Sequence, residues 1–133
     1  RLAFGVVLAA TWIVTTLKIV TGPMPAAAAV MFGLGIAAFQ LPAYLVADLA
    51  RRRAPNALAP LAFPALTVLC ELAQHRLTEL GTWGAAAYTQ LDDLPLLQVA
   101  SVFGMAGVSF LVAWVASAIE VYFKAKIIRG GID

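Results

Sequence analysis

The chain has 133 residues, 62% of them hydrophobic and 12% charged, and nine Lys and Arg against seven Asp and Glu give a net charge of +2. Its mean hydropathy is +0.91, whereas a soluble domain usually carries about 25% charged residues. Too few polar side chains are present to cover a water-facing globule, which excludes an ordinary soluble enzyme domain, a disordered segment and a nucleic-acid-binding module and leaves an integral membrane protein.

The lone cysteine, Cys70, excludes an intrachain disulfide and a cysteine-based metal cluster. The sequence opens at Arg1 without a methionine and stops at Gly130-Gly131-Ile132-Asp133, so it reads as a piece of a longer protein. Charges divide it into four apolar blocks. These predict an all-α polytopic transmembrane helical bundle of four spans, forming one domain over 1–133. The expected helices cover 2–20, 26–49, 56–77 and 95–123.

The first span ends where Pro23 and Pro25 remove backbone donors. In the second, Ala29, Gly33 and Ala37 form a small-residue face suited to close helix approach, and Pro42 predicts a kink. Arg51, Arg52 and Arg53 are too costly to place in hydrocarbon and close this span; they read as a topology anchor meeting anionic lipid. Pro55-Asn56 opens the third span. Gly81-Thr82-Trp83-Gly84 lies in the polar connection 78–94. Pro95 starts the fourth span, where Ala100, Gly104 and Gly107 form a second small-residue stripe.

With the N-terminus in the cytoplasm, Arg1, Arg51, Arg52, Arg53, Lys124, Lys126 and Arg129 lie on the inner side, while Lys18 and Arg76 lie near the outer side. This is the positive-inside bias, and it places 78–94 outside.

Glu71 and His75 share one helix face, and Glu79 continues it if the helix extends. They read as a carboxylate orienting a general base, as a substrate-orienting polar contact, or as interfacial solvation. Trp83 and Tyr88 read as interfacial anchors or as the wall of a lipid-accessible cleft, with the amides of Gln90 and Gln98 offering contacts to a headgroup or acyl ester. Cys70 lies among Leu66, Val68, Leu69 and Leu72 and reads as a packed apolar group. Asp92-Asp93 reads as a solvated loop. With no zinc motif, Gly-rich phosphate loop or nucleophile elbow, the sequence implies no metal, no cofactor and no catalytic residue within this chain.

The third and fourth blocks resemble a known family. The residues that carry the likeness are Leu61-Ala62-Phe63-Pro64-Ala65, Leu69-Cys70-Glu71, Gly81-Thr82-Trp83-Gly84, Tyr88-Thr89-Gln90, Pro95 to Ala100 and Gly104 to Val112. Their order and spacing are similar to those of the bacterial apolipoprotein N-acyltransferases; the first two blocks match only as hydrophobic spans. The sequence departs from the family pattern at Thr67, where a tryptophan is frequent, and at Gln74 and His75.

The resemblance implies a multi-pass inner-membrane protein of lipoprotein biosynthesis, in which the membrane bundle is followed by an extracytoplasmic nitrilase-like domain. That domain would carry a Glu-Lys-Cys set and work through a thioester. Phospholipid would donate the acyl chain to the N-terminal cysteine amine of a lipoprotein. By the same resemblance, Trp83 and its loop lie near the lipid entrance, and Glu71, Trp83, Tyr88, Gln90 and Gln98 are the candidate substrate contacts. Two other readings remain: a small transporter or channel subunit, which would line a path with polar residues, and a non-catalytic membrane scaffold.

Overall fold

The computed structural model describes residues 2–20, 25–53 and 59–130. Among them are five α-helices, one 3-10 helix and no strand. The α-helices are α1 (Leu2–Val20), α2 (Ala26–Arg53), α3 (Ala59–Leu77), α4 (Leu94–Leu97) and α5 (Ala100–Gly130), and the 3-10 helix covers Ala86–Gln90. Packing follows chain order: α1 lies on α2, α2 on α3, and α3 on α5, while the 3-10 helix and α4 rest on α5.

The expected face of Ala29, Gly33 and Ala37 is buried. A Cβ on Gly33 would come within 3.0 Å of the backbone N and Cα of Ile13 and 2.7 Å of Thr16 Oγ1. The missing side chain therefore sets the α1–α2 approach. Thr16 is fully buried, and its hydroxyl donates back to the carbonyls of Trp12 and Ile13.

α2 runs four residues beyond the expected end at Leu49 and contains Pro42. The three arginines fill its last turn, where cations oppose the exposed carbonyl ends of the helix. Arg52 also pairs with Asp48 one turn back, at 2.9 Å.

In α3, Pro64 is buried and has no N–H to offer the carbonyl of Pro60. That carbonyl instead accepts the hydroxyl of Ser117 from α5 at 2.8 Å, so the missing helical bond is replaced by a tie between helices. The expected breaks at Pro23 and at Pro55-Asn56 lie outside the described residues, as do 56–58 of the expected third helix.

The fourth expected helix, 95–123, is not continuous. Asp93 accepts the Leu96 N–H and caps the four-residue α4, with Pro95 in its first turn. α5 follows and is interrupted at Gly104, whose φ of 64° and ψ of −168° are non-helical. Glycine alone takes this conformation without a Cβ penalty. The small-residue stripe at Ala100, Gly104 and Gly107 is therefore corrected: a Cβ at Gly104 would meet open space, and the Phe103 side chain folds onto Gly107. The interruption, not a helix crossing, explains these glycines.

Among the described residues, two helices, α2 and residues 100–127 of α5, are long and apolar enough to cross a membrane, with mean hydropathies of 1.8 and 2.0. The apolar stretch Gly5–Lys18 is shorter. α3 has 19 residues, and its last two turns carry Glu71, Gln74, His75 and Arg76.

Candidate lipid-facing site

The connection after α3 folds back onto the bundle. α3 stops at Leu77, and Thr78 turns both its N–H and its hydroxyl to the Gln74 carbonyl. Glu79 therefore does not continue the Glu71–His75 face. Gly81 and Gly84 then take positive φ values of 56° and 80°. Gly84 is tightly placed as well, since a Cβ there would lie 2.8 Å from the Trp12 ring and 3.4 Å from Ile36. The loop is thus wedged against α1 and α2. Trp12 is itself fixed by an indole N–H bond of 2.9 Å to Gln40 Oε1.

Three side chains hold this loop from the helices. Gln74 is 4% exposed, and its amide donates to the carbonyls of Gly81 at 3.2 Å and Trp83 at 2.7 Å. Glu71 Oε1 accepts the Ala86 N–H at 2.8 Å. Ser109 is fully buried in α5, and its Oγ accepts the Ala87 N–H at 3.1 Å. The 3-10 helix has no side-chain cap from within the loop. Its first two N–H groups are satisfied instead by α3 and α5. Buried or lipid-facing backbone donors require such partners.

The five candidate residues separate. Trp83 packs edge-on against Phe32 of α2, with centroids 6.1 Å apart. Tyr88 shares a 2.7 Å hydrogen bond with the Thr82 hydroxyl. The Gln90 amide donates to Thr89 Oγ1 at 2.8 Å, and Gln98 is exposed at the joint between α4 and α5. Beneath the loop is an open cavity of about 170 Å³ whose walls include Val68, Glu71, Leu72, His75, Thr82 and Met105. Of the five candidates, Glu71 lines it. A second apolar groove of about 500 Å³ shares Val68 and Ala106 with the first and extends past Phe103 to Phe110 and Leu111.

Gln74, Ser109, Thr82 and Met105 were not among the candidates. A glutamine one turn from Glu71 in an otherwise apolar helix was the available signal for Gln74, because an amide in that setting needs a partner. No local signal marks Ser109, whose partner is 22 residues away. Glu71 bonds to the loop and not to His75 among the described residues, which favours the polar-contact reading over a carboxylate–base pair. Asp93 acts as a helix cap, and the described residues hold no group of three or more potential metal ligands.

Chemically, the arrangement is an apolar recess between α3 and α5 under a loop whose position is fixed by buried polar groups. Such a recess is suited to an apolar ligand that carries a few polar atoms. Among the described residues the fold is all-helical, with two helices long and apolar enough to cross a membrane and an apolar cleft between α3 and α5. The family model of the apolipoprotein N-acyltransferase N-terminal domain matches residues 2–118. The chain belongs to the apolipoprotein N-acyltransferase family and represents its N-terminal region. No curated protein and no solved structure matches it.

Proposed function

We propose that this chain is the membrane module that presents phospholipid, as acyl donor, to an N-acyltransferase active site acting on the N-terminal cysteine of lipoproteins. In this reading it crosses the inner membrane four times, through α1, α2, α3 and α4–α5. The arginine turn is cytoplasmic and the Trp83 loop extracytoplasmic. α1 and α3, at 19 residues, rise about 28 Å, close to the ~30 Å hydrocarbon thickness. Acyl transfer itself would be carried out by a nitrilase-like domain of the same full-length protein.

The observation that carries the reading is the pair of adjoining apolar cavities between α3 and α5, which share Val68 and Ala106, in a chain of this family. A diacyl donor cannot leave the bilayer cheaply, since each exposed methylene costs about 0.8 kcal/mol. The active site must be brought to the lipid, and a recess at the membrane face does this.

The test is acyl transfer from phospholipid to a diacylglyceryl-cysteine peptide by the full-length protein. Ala106 borders both parts of the recess, so Ala106→Phe fills it. The expected result is a loss of transfer of about tenfold or more, equivalent to ~1.4 kcal/mol, with unchanged thermal unfolding. Unaltered transfer rejects the recess as the donor seat. Trp83→Ala asks whether the loop wall takes part: a loss confined to transfer assigns it to the cleft, and an unchanged rate leaves it as an anchor.

A further inference from the structure

A cavity of about 440 Å³ lies at the other end of the bundle, between the last turns of α2, the first half of α3 and the C-terminal half of α5. Its apolar lining is formed by Leu45, Phe63, Ala116 and the ring of Tyr44, which meets Phe63 at a tilt of 57° with centroids 4.9 Å apart. The rest of the lining is polar or charged. Glu120 of α5 bonds to Arg51 of α2 and, at 2.5 Å, to Lys124 one turn along. Arg52 is engaged with Asp48 at 2.9 Å.

Three cations therefore face two carboxylates around the cavity. Donors outnumber acceptors as well. The Arg51 side chain is 22% exposed, and its Nε–H is buried with no hydrogen-bond partner. A guanidinium offers five N–H groups and an ammonium three, so Arg51 and Lys124 retain donors after Glu120 is served. An anionic oxygen in the cavity can take up the donors that Arg51 and Lys124 retain, in charge-assisted bonds.

We infer that this cavity binds the phosphate of an anionic phospholipid, through Arg51, Arg52 and Lys124, with the glycerol and upper acyl segments against Leu45, Phe63 and Ala116. Glu120 holds Arg51 and Lys124 at the cavity and is the anion's rival for them. A lipid is the source of phosphate because cationic and apolar residues line the same cavity, near the C-terminal ends of α2 and α5, which are long and apolar enough to cross a bilayer. The site is separate from the donor recess, and neither depends on the other.

The test is native mass spectrometry of the intact protein in detergent, titrated with dioctanoyl phosphatidylglycerol, dioctanoylglycerol or inorganic phosphate. Phosphatidylglycerol should be retained one to one and about tenfold more strongly than dioctanoylglycerol. Arg51→Lys keeps the charge but removes the planar guanidinium fork that grips a phosphate through paired N–H groups, and it should lower retention by about tenfold. Arg52→Gln and Lys124→Gln, at exposed side chains, carry little folding risk and should weaken retention as well. Glu120→Gln removes the rival charge and should strengthen it, with thermal unfolding followed for every variant. Equal retention of the two lipids overturns the inference. So does wild-type retention by folded Arg51→Lys together with both glutamine variants, or weaker retention by a folded Glu120→Gln protein. Displacement of phosphatidylglycerol by an equal concentration of inorganic phosphate also overturns it, by making this a soluble-anion site.

Discussion

The side-chain amide of Gln74, buried in α3, donates to the backbone carbonyl of Trp83 at 2.7 Å and so fixes the loop on the helix that precedes it. The same amide reaches the Gly81 carbonyl, which closes the turn from both ends. Gln74→Leu fills similar space but strands both carbonyls. Each unsatisfied acceptor costs about 1–3 kcal/mol. The expected outcome is a lower unfolding temperature together with faster amide exchange at residues 81–90. Exchange equal to wild type would show that the loop is held by other contacts.

Glu71 and Ser109 give a second, separable prediction. Glu71→Gln keeps an oxygen for the Ala86 N–H, whereas Glu71→Ala removes it. Protection of Ala86 should survive the first change and fail with the second, and transfer activity should follow protection. A general base would behave differently, since Glu71→Gln would then abolish transfer while leaving the loop protected. Ser109→Ala should expose Ala87 to exchange in the same way.

The two loop glycines differ in a testable manner. Both have positive φ, which costs a non-glycine residue roughly 1–2 kcal/mol. A Cβ at Gly81 meets nothing within 4 Å, whereas at Gly84 it would strike the Trp12 ring. Gly84→Ala should therefore destabilise the protein clearly more than Gly81→Ala, measured by thermal unfolding of matched preparations. Equal effects would mean that Trp12 yields and that backbone strain alone matters.

On α2, Gly33→Ala forces a Cβ against the backbone of Ile13, which cannot rotate away. Overpacking of this kind costs about 1–3 kcal/mol. Gly35, two residues on, has only Leu80 Cδ1 at 4.0 Å, so Gly35→Ala should be neutral or slightly stabilising. Equal stability of the two variants would contradict the close α1–α2 approach.

Much of this architecture was legible in the residues. Apolar block lengths gave α1 and most of α2 and α3, because hydrophobic length and prolines act locally. The Ala29–Gly33–Ala37 face was legible for the same reason, as its four-residue spacing needs no knowledge of the partner helix. The interruption at Gly104 was not. A glycine in an apolar helix fits a packing stripe and a backbone break equally well, and only the φ value separates them. Of the candidate site the sequence shows Glu71 as a polar group within an apolar helix, but not its partner, since a carboxylate accepting a backbone N–H 15 residues away leaves no pattern in the sequence. The chemistry of Gln90 and Gln98 is legible in the sequence but their placement is not: Gln90 bonds to Thr89, and Gln98 lies at an exposed joint.

In the proposed topology the two ends of the bundle face opposite sides of the membrane. Cys70 is the one native cysteine, so a Cys70→Ala background accepts single reporters at exposed positions, Leu91→Cys in the loop and Arg52→Cys at the end of α2. A membrane-impermeant maleimide added outside spheroplasts should label Leu91→Cys and leave Arg52→Cys unmodified until the membrane is permeabilised. Labelling of Arg52→Cys from outside, with Leu91→Cys protected, would contradict it.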